Sequence, residues 1–178
     1  MVPLLAVEAD VRATVTTTQD SLKADNSNGA WGRVLSEINA LRVAEAASVN
    51  HVGVVRTTYT SGVAGIGYVP GRAVLSWDFL PSASNVTAHE LGHNWGRFHS
   101  PCGGAGNVDG IYPYQGGIIG VYGWDAALNS LKPPTATDIM GYCGNRWVSD
   151  YTYVGVMNHR SASASIVSSA VGAQPSLL

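Results

Sequence analysis

The eleven residues HELGHNWGRFH at positions 89–99 constrain this chain more than any other stretch. His89 and His93 stand four apart, so on an α-helix they lie one turn apart on the same face. Two imidazole nitrogens placed this way can reach one ion at roughly 2.0–2.1 Å, the usual Zn–N distance. Glu90 then sits about 100° around the helix. It can reach a water on that ion without ligating the ion itself, which is what a general base must do. The pair alone also fits a polar stripe on a surface helix. Gly96 and His99 decide between the two readings. Glycine readily takes the left-handed conformation that ends a helix, and a sharp turn there can swing His99 back to the same ion. Three neutral imidazoles leave one position open, which is the catalytic pattern and not the closed structural one. The expected cofactor is Zn²⁺, held by His89, His93 and His99.

The chain has 178 residues, enough for one domain with a real core. Hydrophobic residues make up 46% and charged residues 12%, so the chain is globular and not disordered. A net charge of −2 and a pI near 6.2 give no basis for nucleic acid or an anionic membrane as partner. No run approaches the roughly 18 apolar residues that span a bilayer. The opening MVPLLAVEAD lacks the basic region of a signal peptide, and its apolar run breaks at Glu8 and Asp10. It reads either as the start of a cytoplasmic protein or as a domain separated from a longer precursor. Cys102 and Cys143 fit one disulfide or two buried thiols equally well.

Along the chain, the β-branched density of VRATVTTT makes residues 3–18 strand-like. From Gly29 to Ala47 the period becomes helical, with Trp31, Val34, Leu35, Ile38 and Leu41 at three- and four-residue steps. HVGVVRT (51–57) reads as a buried strand, and GIGYV (65–69) and AVLSW (73–77) as two more. PSAS (81–84) starts the helix that carries the histidines, with Ser82 or Ser84 as N-cap. Residues 100–137 are glycine-rich and lack a period. A short last helix over 149–159 starts at Ser149 or Asp150, and 161–178 reads as a low-complexity tail or linker.

The full pattern His89-Glu90-xx-His93-xx-Gly96-xx-His99 resembles the zinc signature of the metzincin metalloproteases, which is followed by a Met-turn. The resemblance covers about residues 5–160, and it implies an α/β catalytic domain over 1–160. That domain is expected to hold a twisted mixed sheet, mostly parallel, with the active-site helix above a loop-rich lower part. Met140, in DIMGYC, takes the Met-turn position and would floor the three histidines. Tyr142, two residues on, matches a tyrosine that in some branches binds zinc or steadies the oxyanion; the alternative is a packed side chain. The strand at 65–69 would pair with an extended protein or glycoprotein substrate, and 143–150, with Trp147, would wall the pocket beyond the scissile bond. If both segments frame the ion, Cys102 and Cys143 are neighbours, and a disulfide there implies an oxidising, extracellular location. A monomer is expected.

The branch stays open. Asn94 resembles the adamalysin type, Ser100 the matrixins, and Tyr142 a third branch, a mixture that points towards gametolysin-like or mucin-cleaving bacterial enzymes. A third ligand from a later glutamate is excluded, since none follows Glu90. An aspartate ligand would have to be Asp109, Asp125, Asp138 or Asp150, and the spacing of His99 argues against it. Asp109 alone supplies too few carboxylates for a calcium site. A non-catalytic protein- or glycan-binding module on the same fold is the alternative function. Intact Glu90 and histidines weigh against it.

Overall fold

The computed structural model describes residues 7–80 and 82–171. The helical period after Gly29 becomes α1 (Ala30–Ala44), and its apolar face carries Trp31, Val34 and Leu35 into the core. These side chains pack on Ala73, Leu75 and Trp77 of strand β3 (Ala73–Trp77). Strand β1 (His51–Val55) runs parallel to β3, and β2 (Gly65–Gly67) runs antiparallel to it, giving the order β1-β3-β2. Successive residues of a strand face opposite ways. Leu75 therefore meets α1, while Val74 and Ser76 meet α2 (Ala83–Asn94), where Thr87 Oγ1 donates to Ser76 Oγ at 3.0 Å. The sheet thus lies between the two helices, and β3 is buried on both sides. This is the expected α/β class.

Several expectations change in detail. The sheet is mixed as expected, but evenly so and not mostly parallel, because β2 is joined to β3 by a short connection and can only pair antiparallel. Residues 7–18 form no strand: Val7, Val11 and Val15 are exposed, and side-chain bonds of Arg12 to Glu45 within the segment and of Gln19 to Glu37 just after it hold the chain to α1 and its end instead. Residues 3–6 lie outside the described residues. β1 is an outer strand with Val52 and Val54 exposed, and so is not buried throughout.

Below the sheet, a hairpin joins β4 (Gly123–Asp125) to β5 (Ser130–Lys132), and β6 (Thr137–Asp138) pairs in parallel with β7 (Arg146–Trp147). The last helix, α3 (Asp150–Val171), begins as read from the sequence: Ser149 Oγ accepts from Thr152 N–H at 3.1 Å, an N-cap. It runs well past 159 into the low-complexity stretch, since no glycine or proline interrupts 156–171. The rest of the tail, 172–178, lies outside the described residues. No helix among the described residues is long and apolar enough to cross a membrane.

Asn94 ends α2 fully buried. Its Nδ2 donates to the carbonyls of Tyr68 (3.0 Å) and Ala73 (3.1 Å), and its own carbonyl accepts from Gly71 N–H. The helix is thereby pinned to the turn between β2 and β3. Asn94→Ala removes both of these side-chain hydrogen bonds from the buried end of the helix and should lower stability by about 1–3 kcal/mol in urea titrations; an unchanged midpoint would remove Asn94 as the pin.

Candidate metal centre

Helix α2 delivers the first two histidines, and its end delivers the third. Gly96 has φ 76°, Gly96 N–H donates to His93 O at 2.8 Å, and Arg97 N–H donates to Gly92 O at 3.0 Å. Together these form a Schellman motif, which glycine accommodates without the strain a Cβ would bring. The chain reverses here, and His99 comes back to face α2. The metal-ligating atoms of His89, His93 and His99 lie within 4.8 Å of one another, and they are the one group of this kind among the described residues.

The outer nitrogens explain how the inner ones are presented. His89 Nδ1 donates to Ile139 O at 2.8 Å, His93 Nδ1 to Arg97 O at 2.7 Å, and His99 Nδ1 to Gly106 O. Because carbonyls only accept, each ring must carry its proton on Nδ1. Burial favours the neutral rings of His89 and His93, pulling His89 down to about 3 and His93 to about 4. The three Nε2 lone pairs therefore converge with no proton between them, and those of His93 and His99 stand 3.1 Å apart. Two acceptors face to face repel, and a cation between them turns that repulsion into ligation. The donor set fits a divalent metal ion that prefers imidazole.

Met140 is buried directly beneath α2. A Cβ on Gly92, between the first two histidines, would collide with its Sδ, so the helix rests on the thioether. Asp138 shapes this turn from a fully buried position. Its Oδ1 accepts from Met140 N–H and its Oδ2 from Ser149 N–H, both at 2.8 Å. With both oxygens engaged, Asp138 is a turn-former and does not belong to the histidine group. Ser100 N–H donates to Met140 O, Tyr142 N–H donates to Cys102 O, and a disulfide joins Cys102 to Cys143 with Cα atoms 5.6 Å apart. The loop after the third histidine is thus stitched to the turn under the first.

Glu90 is buried against β2. A Cβ on Gly65 would lie 2.8 Å from its Cγ and Oε1, so the open side of that strand is filled by the carboxylate. Burial raises its carboxyl to about 8. Tyr142 stands half-exposed across the site with Oη 3.2 Å from His99 Nε2; burial, then the charge of Glu90, raises its phenol. Trp147, partly buried on β7, packs beside Gly123 under Lys132 Nζ, 5.1 Å from its ring centre. The carbonyl partners at Ile139, Arg97 and Gly106 went unread, because backbone oxygens leave no mark in a sequence. Asp138 two residues before Met140 was a readable turn signal.

An α/β domain whose buried histidines can share one metal ion beside a carboxylate is built as a metallopeptidase. The family described as Peptidase M66 matches residues 29–173, and the chain belongs to this metallopeptidase family. None of the curated proteins matches the chain.

The disulfide closes a loop with a sequence separation of 41. A loop of that length restricts the unfolded chain by roughly 4 kcal/mol on chain-entropy grounds. The Cys102→Ser/Cys143→Ser variant should therefore lose about 2–4 kcal/mol in denaturant titrations, where an unchanged midpoint would contradict the stitching role.

Proposed function

We propose that this chain is a zinc-dependent metalloendopeptidase of the metzincin type, cleaving extracellular proteins or glycoproteins bound as extended peptides. The observation that carries this reading is the convergence of three unprotonated Nε2 atoms beside the buried carboxylate of Glu90. His89, His93 and His99 are the ligands. Zinc, when bound, supplies Lewis acidity to a water and to the scissile carbonyl.

Glu90 takes a proton from the attacking water and passes it to the departing amine as the C–N bond breaks. Its raised pKa suits the second half of that cycle, and a divalent cation held by the three histidines would draw it down for the first. The Tyr142 hydroxyl, beside His99, donates to the carbonyl oxygen as it gains charge. β2 is an outer strand of its sheet. Ala64 O accepts from Trp77 N–H and Tyr68 N–H donates to Ala73 O, so Gly65 and Gly67 turn their backbone groups to the free edge. An extended substrate pairs there, next to Glu90, and Trp147 walls the pocket beyond the cleaved bond. The disulfide supports an oxidising, extracellular setting.

Casein cleavage should vanish with a chelator and return with zinc. Glu90→Gln should lower the rate by at least ~10²-fold while zinc content stays stoichiometric. Zinc binding without cleavage by the unaltered chain would favour the binding-module alternative, and full activity in Glu90→Gln would rule out the proposed base.

A further inference from the structure

Two of the three imidazoles hang on a second set of residues, outside the ligands and the base. Arg97, whose carbonyl holds His93 Nδ1, extends its guanidinium to Asp109, with Nη2 3.4 Å from Oδ2. Asp109 N–H donates to the carbonyl of His99 at 2.8 Å, and its Oδ1 accepts from Ile111 N–H at 3.1 Å. The same Oδ2 accepts from Tyr151 Oη of α3 at 2.8 Å, and the Arg97 guanidinium stacks 4.8 Å from the centre of the Tyr151 ring. Gly155, one turn along α3, leaves the space the guanidinium occupies: a Cβ there would overlap it. Arg97 and Asp109 are both largely buried, with side-chain exposures of 15% and 11%. The pair is therefore shielded from the solvent screening that makes surface ion pairs weak.

The geometry points to Asp109, Arg97 and Tyr151 as a clasp of positioning residues that sets His93 and His99 at the spacing one metal ion requires. The reading of the ligands given above underlies this inference. Asp109 sits where the two branches meet. Its backbone fixes the third histidine, and its side chain fixes the residue whose carbonyl fixes the second. Without the carboxylate, Arg97 retains a buried charge with no anion, and the turn it terminates is free to drift. Since two acceptor nitrogens 3.1 Å apart repel until a cation joins them, metal-free protein has a standing tendency to open at this point. The clasp opposes that opening. Substitutions in the hydrogen-bonded partners of metal ligands typically weaken metal affinity by about 10–100-fold.

The test uses the whole chain, with zinc as the probe and a competing chelator to set free metal. Tyr151→Phe keeps the ring under Arg97 and removes one hydrogen bond, so its metal-free melting temperature should stay within a few degrees of the parent. Its zinc affinity should fall about tenfold or more. Asp109→Ala should fall further, and Asp109→Asn, which keeps an acceptor for the Tyr151 hydroxyl, should recover part of the loss. In metal-free protein, the Nδ1–H resonances of His93 and His99 should move in Tyr151→Phe while that of His89, held by Ile139, stays put. Unchanged resonances and unchanged zinc affinity in both Tyr151→Phe and Asp109→Ala would overturn the clasp. A parent chain that shows the three Nδ1–H resonances yet binds no zinc would overturn the ligand assignment instead, leaving the resonances alone to judge the clasp.

Discussion

Three imidazole lone pairs brought together with no proton between them form an arrangement that repels itself, and much of this structure serves to hold it. Each ring is turned by a backbone carbonyl from a different place: Ile139 in the turn above Met140, Arg97 at the end of α2, and Gly106 in the loop after His99. The carbonyls fix the tautomer as well as the orientation, so the same bonds that aim the Nε2 atoms also strip them of hydrogen. Burial reinforces this at His89 and His93 by making their charged forms costly.

The supports run outward from there. α2 is pinned at its end by Asn94 and rests on Met140 through the gap at Gly92. The turn carrying Met140 is shaped by the buried carboxylate of Asp138, which at the same time holds the backbone leading into α3. A disulfide and two backbone hydrogen bonds tie that turn to the loop after His99. β2 closes the other side, with its glycines spaced to accept the Glu90 side chain. The reactive side of the site is thereby backed by sheet, helix and turn, while Tyr142 stays half-exposed at its mouth.

Much of this could be read from residues alone, and the reasons differ. The i, i+4 histidines and Gly96 were legible because helix geometry and a positive φ impose residue types directly. The Met140 floor and the Cys102–Cys143 link were read through family resemblance, since neither follows from spacing alone. Side chains that act through backbone partners were hidden. Asp138 looked like one of four alternative aspartate ligands although its place before Met140 marks a turn, Asn94 like a branch marker, and Asp109 like an incomplete calcium ligand. The β-branched run at 11–18 pointed to a strand, yet no neighbour pairs with it, and propensity alone does not make a sheet. Conversely, the serine- and alanine-rich stretch after 160 looked like a linker and begins as helix, because nothing in it breaks one.

The central claim is that His89, His93 and His99 together hold one zinc ion through their Nε2 atoms. Zinc-edge X-ray absorption on the loaded protein tests it most directly. The account predicts three imidazole nitrogens at roughly 2.0–2.1 Å with the remaining position taken by oxygen, and loss of one imidazole shell in His99→Ala. A spectrum with two or fewer imidazoles in the unaltered chain, or one that His99→Ala leaves unchanged, would contradict it.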